Sequence, residues 1–254
     1  MPEMDNQQSE FVFNLRTFRL HQNANGYNEW QAHHATRRVP ADQCAIIICD
    51  MWDNHWSRGA AERVDSMAPR MNQMIARARN QGAHIIHAPS NTLDFYADHP
   101  ARRRMQELAP IEPPTARAVE DPPLPINNSD PTSDTGELNE HRAWSRQHSA
   151  IEIDPARDGI SDQGAEVYSY LRHHAIQQVL LMGVHTNMCV LNRSFAIKQM
   201  VRWGVEIALV RDLTDAMYNP AMPPYVSHDA GTQLVVGYIE RFWCPTITAQ
   251  DLAG

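Results

Sequence analysis

Lysine is almost missing from this chain: Lys198 is the only one in 254 residues, although lysine and arginine together number 22. Cationic chemistry therefore rests on arginine, whose guanidinium holds its proton and so orients or neutralises rather than relays. Gly-x-Gly does not occur, which excludes the dinucleotide fingerprint and the phosphate-binding loop. The four cysteines (Cys44, Cys49, Cys189, Cys244) form no CxxC and no zinc-finger spacing, so reduced intracellular thiols are expected. No run approaches the roughly 18 apolar residues of a membrane span, and no membrane partner is expected. Positive patches are scarce too. With a net charge of -8 the one dense basic cluster is Arg102-Arg103-Arg104, which reads as a solvated helix face, and no nucleic-acid partner is expected. Met1 to Glu10 is polar and acidic with no apolar core; read as a native start, it implies a soluble, cytoplasmic protein. There is no internal repeat and no low-complexity tract.

What is present is an alternation. Phe11 to Leu20 alternates loosely and Asn25-Gly26 is a strong turn dipeptide, predicting an N-terminal β-hairpin extension over residues 1–40. Cys44 to Cys49 is a continuous apolar run of strand length ending in Asp50, as in a strand buried on both faces of a parallel sheet. Helical spacing of Met67, Met71, Met74, Ile75 and Ala78 follows and closes at Gln81-Gly82, before a second short run at Ala83 to His87. Seven of the 17 prolines lie between Pro110 and Pro131, which makes residues 110–145 a long excursion of the kind that forms a lid or an oligomer contact. Downstream come a strand at Ala150 to Ile153, a helix from Gln163 to His174, a strand from Gln178 to Val184, a helix from Asn187 to Trp203, a strand from Val205 closed by Arg211-Asp212, and a last helix from His228 to Phe242. The pattern predicts one α/β domain over residues 41–254, a Rossmann-like three-layer fold with a six-stranded, mainly parallel sheet. Ligands of such sheets bind beyond the carboxyl ends of the strands, where Asp50, His87, His185 and Asp212 fall.

Cys189 stands where the run Val179 to Val184 turns into a helical pattern. A thiol among the unpaired N–H groups of a helix start is expected to ionise more easily than a free cysteine, to a pKa of roughly 3.5–7.5. The competing reading is a cysteine packed in the core. Asp50 supplies the other half of an acid/base-assisted thiol hydrolase: a carboxylate to take the thiol proton while the thiolate attacks a carbonyl carbon.

Over roughly Cys44 to Ala249 the sequence resembles the isochorismatase-like cysteine hydrolases, the superfamily of the nicotinamidases and N-carbamoylsarcosine amidohydrolase. The resemblance is carried by Ile46-Ile47-Ile48-Cys49-Asp50-Met51-Trp52, Ser149-Ala150-Ile151, Gly183-Val184-His185-Thr186-Asn187-Met188-Cys189-Val190 and Val210-Arg211-Asp212. It implies a catalytic Asp, Lys and Cys, with Asp50 as general base and Cys189 as nucleophile, a cis peptide between Val184 and His185, and an oxyanion hole formed by the N–H groups of His185 and Cys189. It implies no organic cofactor, a small-molecule substrate and a homo-oligomer. This chain departs from the family at the lysine, whose place is held by Ser145; Lys198, nine residues beyond Cys189, points away from the thiol. Arg146 is the substitute expected from the sequence. The implied activity is hydrolysis of a C–N bond of an amide or ureido type through a thioester; the alternative is an impaired relative that binds a small molecule.

Trp52, His55, Trp56 and Asn187 are the expected substrate-binding residues, with Tyr96 and Trp144 as further aromatic walls. Plain packing under the proline-rich excursion accounts for those aromatics nearly as well. A metal set of Asp53, His55 and His87 is conceivable among 13 histidines, but chance proximity explains it better, and no metal is expected. Cys44, Cys49 and Cys244 read as core.

Overall fold

The computed structural model describes residues 9–252, so most of the Met1 to Glu10 segment lies outside the described residues. Strands β1 (Glu10–Gln22) and β2 (Asn28–Pro40) form the hairpin, closed by a turn in which Gly26 has φ 84°. Six more strands follow: β3 (Cys44–Cys49), β4 (His84–Ala88), β5 (Gly159–Ile160), β6 (Gln178–Val184), β7 (Ile207–Asp215) and β8 (Thr246–Ile247). They make a single eight-stranded sheet in the order β2-β1-β8-β7-β6-β3-β4-β5. The six from β8 to β5 are parallel. The hairpin is joined to them antiparallel, through Arg16 against Thr246, so the extension continues the sheet rather than standing apart from it.

Helices α1 (Arg58–Gln81), α2 (Pro100–Glu107), α3 (Gly164–His173), α4 (Cys189–Asn192), α5 (Ile197–Arg202) and α6 (His228–Phe242) cover the sheet. Two cores result, one on each face. Along β3, Ala45, Ile47 and Cys49 pack with α3, α5 and α6, while Cys44, Ile46 and Ile48 pack with α1, which is why every residue of the strand is apolar. Cys44, Cys49 and Cys244 are buried.

Four sequence expectations are corrected. Residues 150–153 form no strand: Ile151 is buried in a turn, its N–H bonded to the His148 carbonyl and its own carbonyl held by the Gln147 amide, and the neighbouring strand is β5 instead. The helix from Asn187 to Trp203 is broken between α4 and α5, where Arg193 takes extended angles. Strand β7 runs past Arg211 and Asp212 to Asp215, since Arg70 pairs with Asp212 and lets a carboxylate sit inside a strand. Arg102 and Arg104 are not a solvated face: Arg102 is buried on Glu166 and the Ile160 carbonyl, and Arg104 caps the carbonyls of Pro155, Ala156 and Asp158.

The proline-rich segment wraps the carboxyl end of the sheet. Asp121 is held by Lys198 at 2.8 Å and by the Tyr238 hydroxyl, Asp130 by Asn219, and Asp134 by Arg63. The chain's one lysine is thus spent on fastening this segment, far in role from the thiol. Among the described residues no helix is long and apolar enough to cross a membrane.

Candidate active site

Strand β3 delivers Asp50 to the carboxyl edge of the sheet in the left-handed region (φ 49°), a conformation costly for most side chains and more tolerable for aspartate. Its carboxylate is fully buried. Oδ1 accepts the Ser90 N–H at 2.8 Å from the end of β4, and Oδ2 accepts the Arg193 Nε at 2.9 Å. The Cys189 thiol lies beside the same carboxyl, near enough for each group to shift the other's titration. Residues 50 and 189, far apart in the chain, therefore share one site.

Three neighbours surround the sulfur. Asp50 lies on one side, the Arg193 guanidinium one helical turn further along the chain adds positive charge, and the His185 backbone N–H faces the sulfur. The Val184–His185 peptide is cis. Burial, then the Asp50 charge, pushes the thiol pKa up from its ordinary value, against the pull of Arg193 and the His185 N–H. The lowered pKa expected from a helix start is overturned here. Helix α4 has only four residues, so its dipole is small, and burial of the thiol together with the Asp50 charge outweighs it. Burial likewise pushes Asp50 above the usual carboxylate range, with Arg193 the strongest influence in the opposite direction. Carboxyl and thiol thus form a coupled pair holding a proton between them.

Arg193 is the cation that pairs with Asp50, and the sequence reading missed it. Arg146 reaches neither Asp50 nor Cys189: it lies 3.9 Å from Asp53, with its guanidinium 5.5 Å from the Phe95 ring centroid. Ser145 binds Asp53 through both its N–H and its hydroxyl. Arg193 lies four residues after Cys189, the spacing that puts two helical side chains on one face, and that spacing is visible in the sequence.

Asn187 lies outside the recess lining described below. Its amide accepts the Met217 N–H and donates to the Met217 carbonyl, both at 2.9 Å, so it braces the segment after β7. Asn187→Ala is expected to cost about 2–4 kcal/mol by leaving two buried backbone groups unpaired, which a shift in the urea midpoint at unchanged slope will show.

Trp52 and His55 line a recess of about 350 Å³, mouth included, together with Asp53, Asn54, Ala61, Val64, Asp65, Val184 and His185. Trp144 stacks on Trp52 at 4.2 Å, and Trp56 touches His55 without lining the recess. Tyr96 accepts the Gln147 N–H and packs elsewhere. His87 is spent on Gln147 and Asp158, so the set Asp53, His55 and His87 is not assembled. Among the described residues no group of three or more His, Cys, Asp or Glu could hold a metal ion. Behind the recess Asp215, at the end of β7, joins Arg63 and His228, and the same arginine grips Asp134 of the wrapping segment. Both ring nitrogens of His228 face acceptors, the Tyr218 carbonyl and Asp215, so hydrogen bonding to Asp215 raises its pKa in spite of burial.

No protein-family model matches the chain, and no curated protein matches it by sequence. Solved structures do. A cysteine hydrolase from Pseudomonas syringae pv. phaseolicola 1448A superposes with a TM-score of 0.51 at 14% identity, over 85% of this chain and 94% of that one. An isochorismatase family protein from Burkholderia thailandensis gives 0.47 at 12% identity, over 83% and 93%. The N-carbamoylsarcosine amidase of Thermoplasma acidophilum gives 0.45 at 13%, over 84% and 96%. The likeness read from a few motifs is thus a likeness of the whole fold: this chain is built on the architecture of a solved cysteine hydrolase.

Proposed function

We propose that the protein is a cysteine-dependent hydrolase that cleaves a C–N bond of a small amide or ureido compound. One observation carries the reading: a partly exposed cysteine whose thiol meets a buried carboxylate, with a guanidinium on the carboxylate and a backbone N–H aimed at the sulfur. The solved cysteine hydrolase of the same fold and the solved N-carbamoylsarcosine amidase agree with it in kind.

In this reading Asp50 accepts the thiol proton as the Cys189 sulfur bonds to the carbonyl carbon, so a free thiolate need not accumulate at rest. The carbonyl electron pair moves to oxygen, and the N–H groups of His185 and Cys189 receive that oxyanion. Collapse breaks the C–N bond; the departing nitrogen takes the proton from Asp50 and leaves a thioester. Water then adds, giving its proton to Asp50, and the thiol is restored when the acid departs. Arg193 favours the ionised form of Asp50 against burial and relays nothing.

The test is covalent. After rapid mixing with a panel of small amides and ureido compounds and acid quenching, the peptide carrying Cys189 is expected to gain the mass of the acyl group. Iodoacetamide is expected to alkylate Cys189 slowly at pH 7 and faster toward alkaline pH, because the resting thiol is raised rather than lowered. Turnover that persists undiminished after full alkylation overturns the nucleophile. A panel showing neither turnover nor adduct favours the impaired, binding-only reading, for which the raised thiol pKa is the supporting observation.

A further inference from the structure

His185 has two functions to offer from one residue. Its backbone N–H faces the Cys189 sulfur, and the same residue is among those that line the recess between the segment after β3 and helix α1. The residue is 2% exposed, and its Nε2 is buried with no hydrogen-bond partner. Such an orphan costs free energy unless something pairs with it.

The rest of the lining says what that partner is. Asp53 and Asp65 contribute carboxylates, Val64 and Trp52 contribute apolar surface, and no lysine or arginine lines the recess. The nearest guanidiniums are committed elsewhere: Arg63 to Asp134 and Asp215, and Arg146 to the outer side of Asp53. The two imidazoles add no positive charge at neutral pH, since burial lowers His55 to about 4 and His185 to about 3. An anionic group entering here meets the two carboxylates, Asp53 with Arg146 at 3.9 Å and Asp65 with His148 at 2.8 Å, and finds no cation on the recess wall itself. An uncharged amide offers both an N–H and a C=O, so it pairs with Nε2 whichever ring nitrogen carries the hydrogen.

We infer that this recess is the specificity subsite, and that the substrate carries a second, uncharged amide-type group that hydrogen-bonds to His185 Nε2 while its scissile carbonyl lies at Cys189. The catalytic part of this assignment rests on the hydrolase reading; the binding part does not. The substrates singled out are small molecules with two amide or ureido functions, and their carboxylate analogues are rejected.

Acetamide and acetate, alike in size and shape and different in charge, test the subsite directly. Titrated by NMR into the full chain carrying Cys189→Ala, acetamide is expected to shift the Trp52 indole and His185 ring resonances, with acetate binding at least tenfold more weakly. His185→Phe, which keeps a ring but removes the nitrogens, is expected to weaken acetamide binding about tenfold with the fold intact by circular dichroism. The acetamide–acetate contrast needs no change at His185 and stands even if that variant fails to fold. Equal affinity for the two probes, or acetamide binding untouched by His185→Phe, overturns the assignment. Because the chain tested lacks the nucleophile, failure of the hydrolase reading leaves this result where it is, and failure here leaves the covalent adduct at Cys189 where it is.

Discussion

Asp50→Asn is expected to slow turnover about 10³-fold and Cys189→Ala to abolish it, whereas Arg146→Ala changes kcat/KM by no more than about threefold, as a rim charge without contact to the pair. Arg193→Leu is the informative variant. Its loss is expected to be roughly 100-fold, of the order contributed by one positioned electrostatic partner. The sign of its pH effect follows from the pair. Burial already raises Asp50, and Arg193 is the strongest influence holding it down. Removing the cation raises the carboxyl further, so the base is ionised only at higher pH, and the acidic limb of kcat/KM moves toward alkaline pH. Arg193→Lys keeps a charge but loses the planar fork, and part of the rate and part of the limb position are expected to return. Profiles of kcat/KM against pH for the parent and these variants decide the matter. A limb unmoved in Arg193→Leu, or a loss in Arg146→Ala as large as in Arg193→Leu, removes Arg193 from the site.

The parts of the fold legible in the sequence are those in which one local signal decides. β3 is apolar at every position because both its faces are covered, and Asn25-Gly26 closes a hairpin whose register runs unbroken from Glu10 opposite Pro40 to Gln22 opposite Asn28. Asp50 and Cys189 are legible for a similar reason: each ends or begins an element at the same edge of the sheet. Illegible were the places where a long-range partner reverses the local preference. Ile151 has strand character, yet Gln147 and His148 hold it in a turn that puts its side chain into the α1-side core. Asp212 has the character of a strand end, but Arg70, from a helix more than a hundred residues earlier, allows β7 to continue. Arg102 reads as solvated until Glu166 and a strand carbonyl are seen to enclose it. Arg193 differs from these, because its spacing from Cys189 is a local signal.

Gly183→Ala is expected to be the most destabilising single methyl in the protein's site region, at about 4 kcal/mol or more, enough to prevent recovery of folded chain. Gly183 lies on β6 opposite Cys49 of β3, where the pairing with β7 shifts register between Leu181 and Gly183. Its φ is 118°, a conformation that side chains rarely adopt. A Cβ placed there would sit 2.0 Å from the Cys49 carbonyl oxygen and 2.9 Å from the Cys49 backbone nitrogen. Those atoms belong to a central strand and cannot rotate aside as a side-chain tip would. Relief demands that β3 and β6 separate at their carboxyl ends, which are the two ends that carry Asp50 and the His185 N–H. The glycine thus lets Asp50 and the His185 N–H approach each other. Gly237→Ala provides the contrast: it is in mid-helix α6, where the nearest atoms belong to the Arg241 side chain, which lies over the Phe18 and Trp30 rings and need give way only slightly, and the change is expected to alter stability by less than about 1 kcal/mol. Urea denaturation of the two variants beside the parent separates the effects. A Gly183→Ala protein as stable as the parent removes the claim that this close approach of strands is what sets the geometry of the site.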